Sequence, residues 1–397
     1  MLQGKHILLG VTGGIAAYKI PNLCSLLVKR GADVETILTA NAQKIVSPIP
    51  FESLSGHRCH TDTFDPADTS KIEHIALARQ ADLLVIAPAS ANILAKLRWG
   101  LADDMLSTTA LACTCKVLLV PAMNTNMYEN PATQENLAVL RQRGFLVMEP
   151  ASGRLACGAV GPGKMPEPAD IYDRVEAEIS CEKDLAGLRI LVTAGPTQEP
   201  IDPVRYITNH SSGKMGYALA HAAMLRGAEV TLVSGPTALK YPPLVRTIPI
   251  TTAQDMYEAV TANAREQDII IKAAAVADYT PETVADNKIK KTDGDMSIPL
   301  KRTQDILGYL GAHRQPGQFL CGFSMETQNM LENSRKKLHK KNLDMIVANN
   351  VKVVGAGFQG NTNVITMITE NDVTELPLMD KEAAAHAILD RILQLRG

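Results

Sequence analysis

Aromatic residues make up only 4% of this 397-residue chain, with a single tryptophan. That is too few for the stacked-ring platforms that hold single-stranded nucleic acid. An excess of charge is also missing: 40 Lys plus Arg against 42 Asp plus Glu leave a formal net charge of −2, so nothing draws the whole chain toward DNA, RNA or an anionic membrane. No apolar run approaches the roughly 20 residues of a spanning helix; the best, around Val117–Met123, is interrupted by Lys116 and Pro121. The opening MLQGKHILLGVTGG carries one lysine and runs straight into a strand-like segment, which is not a signal-peptide pattern. Seven cysteines are scattered, and the one close pair, Cys113 and Cys115, has the wrong spacing for a zinc CxxC. Free thiols in a reducing cytoplasm are expected.

With 46% apolar and 21% charged residues the composition is that of a globular protein, and at about 100–200 residues per domain the length predicts two domains. An internal echo supports the division. Lys5–Val11 is a short apolar run, followed by Gly13-Gly14, a helix-like stretch Ile15–Lys29, the stop Arg30-Gly31-Ala32 and a second apolar run ending at Thr39. Leu188–Thr193 opens the same sequence of events, with a helix-like Gly213–Leu225, the stop Arg226-Gly227-Ala228 and a strand-like Thr231–Val233. Each is the opening of a βαβ unit. The expected architecture is α/β, two tandem Rossmann-like domains spanning 1–182 and 187–397, joined through the charged stretch Glu182-Lys183-Asp184.

Further apolar runs read as strands covered on both faces: Asp82–Ala87, Lys116–Pro121 and Phe145–Glu149 in the first half, and Asp268–Ala274, Phe319–Phe323, Asp344–Ala348 and Val364–Thr369 in the second. Ligands of such sheets bind at the strands' carboxyl ends. Gly10-Val11-Thr12-Gly13-Gly14 does not have GxGxxG spacing, and the second strand ends Leu38-Thr39-Ala40 with no acid for a ribose. What remains is a helix N-terminus suited to a single phosphate, with Thr39 offering a hydroxyl, so a mononucleotide such as FMN suits this opening better than NAD. Neither second strand ends in an acid, which also counts against an NAD(P)-dependent oxidoreductase. The run Asn209–Gly216 is not a P-loop, and Lys288, Lys290, Lys291 and Arg335–Lys341 form two basic groups beside it. Lys337 and Lys341 share a helix face, and such patches beside a nucleotide fold suit a polyphosphate.

Taken together, Gly13–Lys19, Ala87–Asn92, Pro121–Met127 and Ala156-Cys157-Gly158 resemble the flavin-dependent cysteine decarboxylases. Asn209–Gly216, Ala274–Tyr279, Lys288–Lys291 and Lys340–Asn349 resemble the ligase half of the bifunctional phosphopantothenoylcysteine decarboxylase/phosphopantothenate–cysteine ligases of coenzyme A biosynthesis. The resemblance implies an FMN-dependent decarboxylase domain followed by a CTP-dependent ligase domain. In the first it implies His74, Asn124 and Cys157 as catalytic residues and FMN contacts at Gly13, Thr39, Ser90, Asn92, Ser107 and Thr108. In the second it implies Asn209 and Lys288 as catalytic, with Asp278, Lys288, Phe323, Lys337 and Lys341 holding CTP. Magnesium is expected to ride on the triphosphate, and no metal ligands are assigned.

The implied chemistry fits those residue types. Loss of CO2 from a cysteine amide needs an electron sink, which oxidation of the thiol to a thioaldehyde supplies. His74 would assist the proton transfer and Cys157 would give a proton in the closing reduction. The ligase half would join 4′-phosphopantothenate to cysteine through an acyl-cytidylate. The resemblance further implies a cytoplasmic homo-oligomer, a dodecamer of decarboxylase trimers linked by ligase dimers. A non-catalytic flavin-binding regulator would share the fold, yet His74, Asn124 and Cys157 are all present. Two departures stand out: Thr303-Gln304-Asp305-Ile306 where an Asn-Pro-Asp-Ile-like segment is expected, which bears on CTP contacts, and Lys164 where an arginine is usual.

Overall fold

Both glycine-bearing openings fold as a buried strand feeding a helix in the computed structural model, which describes all residues except 1, 65–71, 157, 292–294, 327–328 and 351–359. The chain divides into two units, Met1–Cys181 and Glu182–Gly397.

The first unit runs β1 (His6–Val11), α1 (Ile20–Lys29), β2 (Asp33–Leu38), α2 (Ile49–Ser55), β3 (Cys59–His60), α3 (Glu73–Gln80), β4 (Leu83–Ala89), α4 (Ala91–Trp99), α5 (Met105–Ala112), β5 (Lys116–Pro121), α6 (Thr125–Glu129), α7 (Pro131–Gln142), β6 (Leu146–Val147), the hairpin β7 (Ala151–Arg154) and β8 (Val160–Lys164), and α8 (Pro168–Ile179). Its sheet is parallel with order β3-β2-β1-β4-β5-β6. Burial on both faces explains the unbroken apolar strands: Leu9, Val11, Val85 and Val120 belong to one core, Leu8, Leu84, Ile86 and Leu119 to the other.

The second unit runs β9 (Arg189–Ala194), β10 (Gln198–Pro200), β11 (Tyr206–Thr208), α9 (Lys214–Leu225), β12 (Glu229–Ser234), β13 (Arg246–Pro249), α10 (Ala253–Ala264), β14 (Ile269–Lys272), β15 (Tyr279–Pro281), β16 (Leu300–Arg302), α11 (Ile306–Ala312), β17 (Phe319–Glu326), α12 (Met330–Lys340), β18 (Met345–Asn350), β19 (Thr362–Asn363), β20 (Ile365–Ile368), β21 (Val373–Glu375), β22 (Met379–Asp380) and α13 (Lys381–Arg396). The sheet order β13-β12-β9-β14-β17-β18-β20-β21 repeats the first unit's winding over its first six strands. In both units the order reverses beside the first strand, between β1 and β4 and between β9 and β14. There the loops at the strand ends part and leave a crevice.

Two elements differ from expectation. The stretch Ile15–Lys29 is a 3-10 turn over Ile15–Lys19 followed by α1, with Pro21 in the first turn, where a missing N–H costs nothing. The run Val364–Thr369 forms β20, which is buried as expected but antiparallel to β18. It opens a β20–β21 meander at the sheet edge, a frequent ending for a doubly wound sheet.

Candidate functional sites

At the first switch point Thr12 ties the two loops together. Its hydroxyl donates to the Pro88 carbonyl at 2.6 Å and accepts from the Ser90 N–H at 3.1 Å. Beside this staple lies a cavity of about 640 Å3 lined by Gly13, Gly14, Ile15, Tyr18, Ser90, Asn124, Met127, Arg154 and Lys164 among others, within the roughly 300–1,000 Å3 usual for small-molecule sites. Its far wall is the β7–β8 hairpin. That hairpin docks closely because Gly163, at φ +124°, carries no Cβ; one would stand 2.3 Å from the Met123 carbonyl oxygen. The Gly163 carbonyl in turn accepts from the Met123 N–H at 3.0 Å. Lys19 and Lys164 face one carboxylate, Glu167, at 2.9 and 3.6 Å, and Lys19 holds that acid below its ordinary pKa. With Arg154 the wall is therefore net cationic.

Gly13, Ser90 and Asn124 line this cavity; Thr39, Asn92, Ser107, Thr108 and His74 do not. Ser90 caps α4, and Asn124 caps α6 by accepting from the Asn126 N–H at 2.9 Å. Thr39 accepts from the Ala42 N–H at 3.3 Å, and Asn92 is exposed in the first turn of α4. Ser107 is buried, its hydroxyl engaged in a capping box with Asp104 at the start of α5. His74 is half-buried in the first turn of α3, which packs on α5, so His74 and Thr108 belong to a second surface of the unit. Cys157 lies outside the described residues.

The second switch point opens into two adjoining cavities of about 490 and 580 Å3 that share Ala274, Val276, Asp278, Phe323 and Lys337. The larger is built on the loop Thr208–Gly213 and the first turn of α9; Gly213, at φ +78°, turns the chain into that helix. Asn209 lines it and donates to the Ala275 carbonyl at 3.1 Å. Lys214 and the buried Lys381 also line it, and burial, together with Lys214, pushes the Lys381 ammonium below its ordinary pKa. The smaller cavity holds Asp278, Phe323, Lys337 and Lys341, four of the five residues expected to hold the nucleotide. Lys341 is paired with Asp305, which also caps α11 through the Gly308 N–H at 2.9 Å. Lys288 is exposed and lines neither cavity. Its neighbour Ile289 is fixed, donating its N–H to Asp202 and accepting from Arg205 at 2.9 Å.

The sequence reading missed Lys272. It ends β14, is only 8% exposed, and lines the smaller cavity. No carboxylate among the described residues pairs with it, and burial pushes its ammonium down to about 8. The signal was available: a lysine interrupts the apolar run Asp268–Ala274. Among the described residues no cluster of three acidic, histidine or cysteine side chains could hold a metal, and no helix is long and apolar enough to cross a membrane.

A doubly wound sheet with a cavity at its switch point, built twice in one chain, defines a tandem nucleotide-fold protein with two small-molecule sites. Residues 1–180 match the Flavoprotein family, and residues 185–395 match the DNA/pantothenate metabolism flavoprotein C-terminal domain. The chain is 49% identical to the coenzyme A biosynthesis bifunctional protein CoaBC of Bacillus subtilis (strain 168), covering 100% of this chain and 98% of the relative. It is 45% identical to CoaBC of Escherichia coli (strain K12), covering 99% and 97%. A crystal structure of the C-terminal domain of CoaBC is 48% identical, covering 52% of this chain and 95% of its own, with a TM-score of 0.45. The chain belongs to the family of bifunctional coenzyme A biosynthesis proteins.

Proposed function

We propose that this chain performs two consecutive steps of coenzyme A biosynthesis. The domain 187–397 joins 4′-phosphopantothenate to cysteine at the expense of CTP, and the domain 1–182 decarboxylates the product to 4′-phosphopantetheine with FMN. The observation that carries the reading is the pairing in one chain of two different switch-point cavities. One is largely apolar with a cationic wall; the other, in two adjoining parts, has Asn209, Asp278 and Lys337 beside a glycine-turned helix start and Lys341 in the neighbouring part.

The first cavity's residues fit a flavin mononucleotide. A Cβ on Gly14 would stand 3.3 Å from the Pro88 ring, so the bare backbone lets the two loops beside the cavity close on each other, while Lys19, Arg154 and Lys164 suit the phosphate of the flavin or that of the substrate. The flavin, when bound, supplies the two-electron redox chemistry. Asn124, at the carboxyl end of β5, binds the substrate carboxylate by hydrogen bonds. Cys157 gives up a proton in the last step. His74 moves the proton of the substrate thiol. Because His74 and Thr108 do not line their own chain's cavity, they serve the flavin site of a neighbouring copy. That supports an assembly of decarboxylase trimers, which ligase dimers link into a dodecamer. The exposed Ile15, Tyr18 and Met127 around the cavity, Ile72 just before α3 and Leu111 on α5 are apolar surface for such a contact.

In the second domain the substrate carboxylate attacks the α-phosphorus of CTP, and the bond to pyrophosphate breaks. The cysteine amine then attacks the acyl carbon and CMP leaves. Asn209 donates to the acyl-cytidylate, Lys288 neutralises charge developing on the phosphates, and Asp278, Phe323, Lys337 and Lys341 hold the nucleotide. Mg2+ arrives on the triphosphate. A cytoplasmic location suits both reactions.

The test is to incubate the purified full chain with 4′-phosphopantothenate, cysteine, CTP and Mg2+ and weigh the products. Phosphopantetheine is the expected outcome, from a yellow protein. Colourless protein that releases no pyrophosphate overturns the reading.

A further inference from the structure

Lys272 ends β14, the strand that borders the second switch point. In register it lies between Thr193 of β9 and Gly322 of β17. Side chains alternate along a strand, so Lys272 shares a face with Ile270. That face packs on α10, α11 and α12 through Met256, Ile306 and Leu338. The glycine-turned loop Ser211–Gly213 leads instead into α9, which packs with α13. A nucleotide whose phosphates sit over the start of α9 therefore reaches the smaller cavity, beneath Thr303–Leu307, with its base.

A lysine this buried without a carboxylate is rare, because desolvating an unpaired ammonium is expensive. Three of the cavity's other polar groups are engaged. Asp305 caps α11 and pairs with Lys341, and Thr303 donates to the Ala277 carbonyl at 2.6 Å. Lys272 stands at the floor without any such partner among the described residues, and Gln304 lines the same cavity. The unusual Thr303-Gln304 pair and the unusual lysine thus meet at one place.

Resting on the CTP-dependent reading above, we infer that Lys272 is a specificity-determining residue that donates a hydrogen bond to the ring carbonyl of the bound pyrimidine. An ammonium has donors only. It rewards cytosine, which carries a carbonyl oxygen, over adenine, which carries none and presents an amino donor. Its ordinary charge is kept through neutral pH, since even after burial it titrates at about 8. A phosphate at this floor would lie beside Asp278 and Asp305, which repel it.

The experiment uses the full-length protein and Lys272→Met, an apolar side chain of similar length, titrated by calorimetry with CTP, CMP and inorganic pyrophosphate. Pyrophosphate release on ligation is also assayed with CTP against ATP. The variant is expected to bind CTP and CMP about tenfold or more weakly, to bind pyrophosphate as before, and to lose preference for CTP over ATP by the same factor. Lys272→Gln, which keeps an N–H donor, recovers part of the preference. Thermal unfolding of Lys272→Met is expected at or above the wild-type temperature, since a buried unpaired charge has gone. Unchanged CMP affinity and unchanged CTP/ATP preference overturn the inference, as does a loss of pyrophosphate affinity equal to that for CTP. A wild-type chain that binds no CTP at all overturns the ligase reading itself.

Discussion

The Asp202 carboxylate accepts a hydrogen bond from the backbone N–H of Ile289 at 3.1 Å, so an acid on the loop after β10 fixes the residue next to Lys288. Arg205 completes the clamp, donating from Nε to the same carboxylate at 3.0 Å and from Nη2 to the Ile289 carbonyl at 2.9 Å. That guanidinium, with the backbone N–H groups around it, holds the Asp202 carboxyl well below the usual carboxylate range. Asp202→Asn keeps the shape and weakens the clamp. We expect ligation to fall on the order of tenfold, the loss of one charge-assisted bond, mainly in kcat, measured by pyrophosphate release. Combined with Lys288→Gln the loss should not multiply, because Asp202 acts by positioning that segment. The sign of the pH dependence follows from the lowered pKa. The stabilisation is complete above the unfolded carboxylate's titration, at about pH 4, and is lost as pH falls toward the folded value. Acid unfolding of Asp202→Asn should therefore lack that portion of the wild-type slope.

Lys288 itself is exposed and lines neither cavity, so its substitution should leave binding and folding nearly intact. Lys288→Gln is expected to lower pyrophosphate release by roughly 100- to 1,000-fold, the usual effect of removing one charge-stabilising donor. Decarboxylation of supplied phosphopantothenoylcysteine should continue at the wild-type rate. Equal loss of both activities contradicts the division of labour between the domains.

Much of this was legible in the chain before any coordinates. The repeated strand, glycine, helix and Arg-Gly-Ala or Arg-Gly-Ala-like stop is local, and local signals survive because βαβ units are built from neighbours in sequence. Asp278, Phe323, Lys337 and Lys341, grouped beforehand only through the family resemblance, line one cavity. Other features depended on contacts that spacing does not encode. Thr12 and Ser90 meet across 78 positions, and nothing in either segment names the other. Ser107 reads as a free hydroxyl in Leu106-Ser107-Thr108-Thr109, but it is consumed by a capping box that only the position of the α5 start reveals. Lys272 was overlooked because an apolar run was read as pure core, although one lysine inside it is the more informative residue.

Cys157, whose role rests on the family resemblance, can be tested by product identity. With Cys157→Ser, CO2 should still be released, but the organic product should be two hydrogens short of phosphopantetheine, as mass spectrometry would show. Completion to phosphopantetheine at the wild-type rate removes the proton-donor assignment.

The staple at Thr12 connects stability to flavin retention. Its hydroxyl is both donor to Pro88 and acceptor from Ser90, in a side chain 2% exposed. Thr12→Val keeps the branched shape and removes both bonds, leaving the buried Pro88 carbonyl without this partner at about 1–3 kcal/mol and the half-buried Ser90 N–H at less. The melting temperature should fall by several degrees, since a domain of this size shifts about 2–4 °C per kcal/mol. The loops after β1 and β4 form one wall of the 640 Å3 cavity, so slackening them should also lower the flavin absorbance that survives gel filtration. Thr12→Ser, which keeps the hydroxyl, should restore most of the retained flavin even where the lost methyl costs some stability. A Thr12→Val protein that melts lower yet keeps its full flavin would show that the staple serves the fold alone.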